Sequence, residues 1–476
     1  MRKTIFTLLA IIPLVVLAQT GYEIKVTFKP FKKQYIYLGH YFGKTYPIID
    51  SALLNDKSEA VFKGNKKLQG GIYLIGYPNK AGFFEILVDK QQHFSVIADI
   101  AVIKSGIQFV NSADNVLFND YQQYMASKGK TISDLQAAIK IAKGKDSVSL
   151  SKELIAEDKR VAAYRENIIS TKPNSILTAL LVSMKEPELT GKLKTPVTKE
   201  DSLASYAYFK NHFWDGVNFF DGRLAYTPFF EDKLDKYFEQ LVVPQPDSII
   251  KELDWMLGTA SINEEMTRFL LVKFVNRYLN QKYMWEDMIF VHLFERFFAN
   301  KDYSWLTAQG KKTITDRAYS LMANIMGTPA SNIILPDSSN NQVELYNEKG
   351  EFTVVVFWDP TCGHCKEVLP KLDSFYRAKW KEGNVKMYAV SKETDGNRQD
   401  WLKVINDHHL EGWSHVYYSK ADDKKRTDAN IPGYSQLYDV QTFPTLYLLD
   451  KDKRIIAKKL SYQQIDEVIS LKKKGQ

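Results

Sequence analysis

Two cysteines, Cys362 and Cys365, are the residues of this chain whose type and spacing most directly indicate a chemistry, and the 476-residue sequence contains no others. Residues three apart on a helix have Cβ atoms roughly 5 to 6 Å apart, and bridged cysteines have Cα atoms about 4.4 to 6.8 Å apart. A disulfide between them can therefore open and close with little backbone movement. The spacing predicts thiol–disulfide exchange. A static clip on a helix start and half of a zinc site share this spacing and are the alternatives.

A strand, a turn and a helix must position this pair. Residues 353–357 are β-favouring throughout and predict a strand that is buried on both faces. Asp359 and the proline after it end that strand, and apolar residues then recur at helical spacing. On the first turn, Cys362 would face unpaired N–H groups and the positive end of the helix dipole, which favour a thiolate. We expect Cys362 to be the nucleophile and Cys365, one turn deeper, to be the resolving thiol.

Three features in one order resemble the thioredoxin superfamily. They are Phe357-Trp358 before the cysteine pair, Pro370 in the active-site helix, and Thr442-Phe443-Pro444-Thr445 before an apolar strand. The opening of residues 327–476 resembles the TlpA-like branch. The resemblance implies a thioredoxin-like α/β fold with an insertion around residues 395–436. It also implies that Phe443 and a cis Pro444 receive the substrate strand and that Trp358 shields the motif, unless Trp358 is a plain core residue.

The sequence features disagree on whether the protein reduces or oxidises its substrates. Gly363-His364 resembles the dipeptide of protein disulfide isomerases, in which an imidazole near the thiolate stabilises the reduced form. TlpA-like proteins are mostly disulfide reductases of the cell envelope. We expect a reductase that acts on disulfide-containing proteins. A disulfide oxidase or isomerase is the alternative, and an exposed His364 with no tuning role is the plain reading of that residue.

The proton acceptor for Cys365 is not evident from the sequence. Thioredoxins bury an acid on the strand before the motif, where this chain has Val356. Many TlpA-like proteins carry a glutamate three residues after the second cysteine, where this chain has Val368. The remaining candidates are His364, Asp359, Glu393 and a water molecule.

Composition and residue spacing also bear on other classes of protein, such as nucleic-acid-binding proteins, metalloproteins and thiol peroxidases. Apolar residues make up 45% of the chain, charged residues 25%, and the net charge of +8 is spread along the sequence, as expected of a soluble globular protein rather than a nucleic-acid-binding one. We see no spacing that predicts a metal or cofactor site. A thiol peroxidase would need an isolated cysteine activated by Thr and Arg, and a non-enzymatic envelope module that binds a partner is a further alternative.

The first residues predict export. Arg2 and Lys3 precede an apolar run, and the residues up to Ala18 fit a signal-peptidase site, so we expect cleavage after Ala18. The protein would then work in the periplasm or cell envelope, which permits disulfides. The sequence does not identify the electron donor of the protein. A membrane thiol–disulfide relay is one class of donor that would suit this compartment.

The expected fold class is multidomain α+β. The predicted segments are a signal peptide (1–18), an antiparallel β domain (19–114), a helical connecting region (115–210), an aromatic-rich helical domain (211–326) and a thioredoxin-like domain (327–476). In the connecting region, Ser133 to Gln136 form a capping-box pattern that predicts a helix start. The second and fourth segments resemble uncharacterised domains that precede thioredoxin modules in exported Bacteroidetes-type proteins.

Overall fold

A computed structural model describes residues 21–103 and 106–475. The predicted signal peptide therefore lies outside the described residues. The chain divides into two compact units. The first comprises residues 1–243 and 254–270, and the second comprises residues 244–253 and 271–476. This division follows neither of the inner boundaries predicted at residues 210 and 326, which stay predictions. None of the helices in the described ranges is both long and apolar enough to cross a membrane.

The first unit begins with two four-stranded sheets. Its strands are β1 Tyr22–Lys29, β2 Tyr35–His40, β3 Ile48–Leu53, β4 Glu59–Gly64, β5 Gly71–Gly76, β6 Phe83–Val88, β7 His93–Asp99 and β8 Gln108–Val110. The orders are β4-β1-β7-β8 and β3-β2-β5-β6. Apolar residues from alternate positions of both sheets, among them Phe28, Phe62 and Phe84, form one core between them. The predicted β domain is thus a sandwich.

One ladder in this sandwich is parallel. Strands β1 and β7 run in the same direction, with Ile24 opposite Phe94, whereas the other ladders of the two sheets are antiparallel. A parallel pair requires a crossover connection. Here the chain passes to the second sheet for β2 and β3, returns to the first for β4, passes to the second again for β5 and β6, and re-enters the first at β7.

Helices follow the sandwich. They are α1 Ala113–Ile141, α2 Lys145–Thr171, α3 Ile176–Ser183, α4 Lys199–His212, α5 Phe229–Gln240, α6 Pro246–Ala260 and α7 Glu264–Leu279. Helices α1 and α2 pack along each other as a hairpin. The helix start predicted at Ser133 is wrong, because α1 continues through it. Leu135 is buried on the continuous helix, and tertiary packing of this kind overrides a local capping signal.

The second unit continues with α8 Asp287–Leu293 and α9 Ala308–Met322 and ends with a mixed α/β domain. Its remaining elements are β9 Ile334–Pro336, β10 Gln342–Glu344, β11 Phe352–Trp358, α10 Gly363–Phe375, β12 Val385–Lys392, α11 Arg398–Asp407, β13 Ser414–Tyr418, α12 Lys420–Asp428, α13 Tyr434–Leu437, β14 Thr445–Asp450, β15 Ile455–Lys458 and α14 Tyr462–Lys473. The main sheet has the order β13-β12-β11-β14-β15. This is the mixed α/β arrangement that the resemblance predicts, and the predicted fold class is confirmed.

Strand β11 is the centre of this sheet, and all seven of its residues are buried. Val354, Val356 and Trp358 face one core, which also contains Cys365. Val355 and Phe357 face a second core on the other side of the sheet. The prediction that this strand is buried on both faces is therefore confirmed. Strand β13 and helix α12 occupy the predicted insertion and were not expected as regular elements.

A buried ion pair joins α8 to the last strand of the sheet. The ammonium group of Lys458 pairs with the carboxylate of Asp287, and both side chains are almost completely buried. It also donates to the backbone oxygen and the side-chain oxygen of Asn324, each at 2.6 Å. Because the interior solvates a charge poorly, each ion depends on the other to remain charged.

Removing one member of this pair should therefore destabilise the second unit strongly. We expect Lys458→Met to lower the free energy of unfolding by about 3–5 kcal/mol, since it leaves the Asp287 carboxylate buried and unpaired. Adding Asp287→Asn removes that charge and should restore part of the loss. Denaturant unfolding followed by tryptophan fluorescence measures both changes. A double variant no more stable than the single one would contradict this explanation.

Candidate active site

Cys362 lies at the start of α10, as its N-cap residue. Its Sγ accepts a hydrogen bond from the backbone N–H of Cys365 at 3.3 Å and lies 3.7 Å from the backbone oxygen of Phe443, to which the thiol donates. The side chain is partly exposed. A sulfur held at a helix N-terminus by a backbone N–H is placed where a thiolate is stabilised.

Cys365 lies below it, one turn into α10, and has no exposed surface. Both cysteines are free thiols in this structure. Burial raises the pKa of Cys365 well above that of an ordinary thiol, and the neighbouring Cys362 and the carboxylate of Asp359 raise it further, while a hydrogen bond from the Asp359 backbone opposes them. The outer sulfur can therefore meet a large substrate, and the inner one can reach only its neighbour.

Sheet pairing brings the proline loop to this pair. The Phe443–Pro444 peptide bond is cis, and β14 starts at Thr445, directly opposite Phe357 of β11. Since Cys362 follows the end of β11 and Phe443 precedes the start of β14, antiparallel pairing places them side by side. A groove of about 530 Å³ is lined by His364, Val368 and Pro444, which are close neighbours of Cys362 and Phe443 in the chain, while neither cysteine is in its lining.

Asp359 forms the turn between β11 and α10. One oxygen of its carboxylate accepts hydrogen bonds from the backbone and the hydroxyl of Thr361, both at 2.7 Å. The other oxygen accepts from the hydroxyl of Thr394, and the side chain is buried. Thr361 and Thr394 were missed by sequence reasoning. Thr394 follows β12 and meets the turn only through the β11–β12 ladder, so no local pattern could have identified it.

The other predicted residues occupy less central positions. Trp358 is fully buried in the core that contains Cys365, and its predicted shielding of the motif stays a prediction. His364 is exposed, and its imidazole has no hydrogen-bond partner in the described part of the chain. Glu393 follows β12, where it accepts a hydrogen bond from the backbone of Lys420 at 3.1 Å, and it is not among the groups acting on Cys365. Val356 and Val368 bring no acid to the pair.

Within residues 21–103 and 106–475, no group of three or more His, Cys, Asp or Glu side chains could hold a metal ion. In the same ranges, neither a Thr hydroxyl nor an Arg guanidinium hydrogen-bonds the Cys362 sulfur, whose contacts are Cys365 N and Phe443 O. The arrangement therefore offers a partly exposed thiol, a buried thiol and a neighbouring carboxylate, which together can perform disulfide exchange.

Two protein families match the chain. Residues 326–458 match the AhpC/TSA family, and residues 166–319 match a domain of unknown function, DUF5106. The thiol-disulfide oxidoreductase ResA of Bacillus cereus is 26% identical over 144 residues, which are 30% of this chain and 74% of the relative. ResA of Bacillus anthracis is 27% identical over 150 residues, 31% of this chain and 78% of the relative.

Two solved structures are similar in part. A thioredoxin-like protein from Bacteroides caccae is 20% identical with a TM-score of 0.45, and the match covers 60% of this chain and 98% of that one. The thioredoxin domain of a thiol-disulfide oxidoreductase from Bacteroides vulgatus is 29% identical with a TM-score of 0.26, covering 30% and 97%. A DUF5106 domain precedes the region that matches the AhpC/TSA family. The family matches and the ResA relatives, together with the Cys362–Cys365 pair, show that residues 326–458 form a thioredoxin-like domain of the AhpC/TSA family and that this domain is a thiol-disulfide oxidoreductase related to ResA.

Proposed function

We propose that the protein is a disulfide reductase for protein substrates. The observation that carries the proposal is the placement of a partly exposed Cys362 beside Phe443 O, with Cys365 buried below it and an open groove lined by the nearby His364 and Pro444. The ResA relatives, which are named thiol-disulfide oxidoreductases, support it. The exposed His364 supports this direction over an oxidase or isomerase, because it makes no contact with the Cys362 sulfur that would stabilise a thiolate.

The cycle uses both sulfurs in turn. The Cys362 thiolate attacks one sulfur of the substrate disulfide, the substrate S–S bond breaks, and a mixed disulfide remains while the first substrate thiolate leaves. The Cys365 thiolate then attacks Cys362 Sγ, which releases the second substrate thiolate and leaves the enzyme pair oxidised. Two electrons have passed to the substrate. A thiol reductant, such as a membrane relay, returns two electrons to the pair.

We further propose that the protein works outside the cytoplasm. The basic residues and apolar run before Ala18 support this, as does the restriction of cysteine to one exchange motif.

Proton removal from Cys365 is assigned to Asp359. Of the candidate carboxylates, Asp359 is the one whose charge and backbone both act on the Cys365 thiol. Three hydrogen bonds fix its position at the turn. A carboxylate near a thiol whose pKa is raised can accept its proton directly or through one water molecule.

Single-cysteine variants separate the two steps. We expect Cys362→Ser to abolish reduction of insulin disulfides, because the nucleophile is lost. Cys365→Ser should still form the mixed disulfide but should not release it, so that mass spectrometry detects a covalent complex with the substrate. Release of substrate at the wild-type rate from Cys365→Ser would contradict the assigned roles. A wild-type protein that reduces no disulfide would favour a partner-binding module instead.

The pH dependence of the second step tests Asp359. Because the pKa of Cys365 is raised, its thiolate becomes more abundant as pH rises, and the release step should accelerate with pH. At pH 7, Asp359→Asn should slow release by about 10- to 100-fold, with a deficit that shrinks at high pH. Stopped-flow measurement of release from the mixed disulfide gives these rates.

Glu393→Gln is the matched control and should leave release unchanged. If Asp359→Asn accelerates release instead, the carboxylate acts only by raising the pKa of Cys365, and its assignment as a base is wrong.

Redox potential tests the direction. A reductase should have a Cys362/Cys365 potential close to that of thioredoxin, about −270 mV. A value near that of the isomerases, about −180 mV, would overturn the reductase proposal in favour of the alternative. Equilibration with glutathione or dithiothreitol followed by alkylation of the free thiols provides the measurement.

A further inference from the structure

A second groove of about 320 Å³ lies next to the active-site groove, and Gln441, Lys459 and Leu460 line both. Its other wall includes Asn280 to Met284, in the segment that connects α7 to α8. This segment belongs to the same compact unit as the thioredoxin-like domain. The groove beside Cys362 therefore continues onto residues that precede the domain.

Arg317 holds the two walls together. Its guanidinium donates to the backbone oxygen of Leu279 at 3.1 Å and to the side-chain oxygen of Gln281 at 2.6 Å. It also pairs with Asp439, which lies shortly before the cis-proline loop and is itself bound by Lys459. Because one carboxylate anchors both sides, the connecting segment and the proline loop have fixed positions relative to each other.

The lining of the two grooves is predominantly positive. It contains five lysine or arginine side chains and two carboxylates, those of Asp287 and Asp439. Both carboxylates are already paired, Asp287 with the buried Lys458 and Asp439 with Arg317 and Lys459. Lys282 and Lys371 are exposed, and neither has an ion-pair partner in the described part of the chain. These two ammonium groups are therefore available to anions in the groove.

An aromatic surface accompanies the charges. Tyr283, another lining residue of the second groove, is 57% exposed. Its ring is parallel to that of Trp285, with centroids 5.5 Å apart. The adjacent Met284 packs against the core that contains Cys365. A surface with a stacked ring and nearby ammonium groups can contact the backbone of an extended chain and the carboxylates on it.

We propose that the two grooves together bind an extended, acidic segment of the substrate protein that flanks its reducible disulfide, with Lys282 and Lys371 contacting its carboxylates. This inference rests on the proposed function and adds the chemistry by which the substrate is recognised. Charge complementarity carries it, since the carboxylates lining the grooves are already neutralised by their own partners, whereas two of the lysines are not.

Peptides of different charge test this directly. Each peptide carries one cysteine as a mixed disulfide with thiopyridine, flanked on both sides by glutamate, glutamine or lysine, and attack by Cys362 releases thiopyridone, which absorbs light. Neutral dithiodipyridine serves as the reference substrate. With the pre-reduced full chain at low salt in single-turnover reactions, we expect the second-order rate constant of thiopyridone release for the glutamate peptide to exceed that for the glutamine peptide by about 3- to 10-fold, a difference that decreases with added salt.

Charge-reversal variants locate the effect. Each rate is divided by the rate of the same variant with dithiodipyridine. Lys282→Glu and Lys371→Glu should each remove most of the preference for glutamate, and Lys282→Gln should remove less. Lys451→Glu is the matched control, because this substitution changes the net charge by the same amount. Lys451 follows the end of β14 that lies away from Thr445 and the proline loop. This variant should keep the preference.

Equal rates for the three peptides would overturn the inference. An equal loss of preference in Lys451→Glu would also overturn it, since the cause would then be the net charge of the chain. If the wild-type protein does not react with dithiodipyridine, the proposed function itself fails, so the two failures are distinguishable.

Discussion

The antiparallel ladder between β11 and β14 is the constraint on which the site depends. Pairing of Phe357 with Thr445 fixes the residues that immediately follow one strand against those that immediately precede the other. The cysteine turn and the proline loop are about eighty residues apart in the chain, and only this ladder makes them neighbours. Since β11 is buried on both faces, a slip of one residue would move the side chains of each core into the other, so the packing of both cores opposes it.

The different burial of the two cysteines gives two chemically identical side chains different roles. Cys362 is at the surface because it caps α10, and Cys365 is in the core because one helical turn carries it inward. The pKa of the inner thiol follows from that depth. Asp359 occupies the same turn, so an acidic group absent at Val356 and Val368 lies near the pair at a different position in the chain. If it removes the Cys365 proton as we propose, the acid comes from neither the strand interior nor α10.

Much of this site could be predicted from the sequence because its parts are local. The cysteine spacing, the apolar strand before it and the residues around Pro444 each lie within short stretches. What the sequence could not provide are contacts that depend on the ladders. Thr394 reaches Asp359 across the sheet, and β13 joins as an edge strand from a segment whose Ser414 and His415 weaken the strand pattern. The pattern at Ser133 misled because α1 continues through it, with Leu135 buried by packing that the local residues do not encode.

The buried pair of Lys458 and Asp287 links the thioredoxin-like domain to residues that precede it in the chain. The family match begins at residue 326, yet a strand inside it carries an ammonium group whose partners, Asp287 and Asn324, lie upstream of that boundary. Separation at the boundary would leave a lysine without a counter-charge on the face of the sheet next to the proline loop. The segment that can be transferred with all partners of Lys458 is therefore larger than the segment that matches the family, residues 326–458. Recombination of such a domain between proteins would have to carry α8 and α9 with it, or replace Lys458 by an apolar residue.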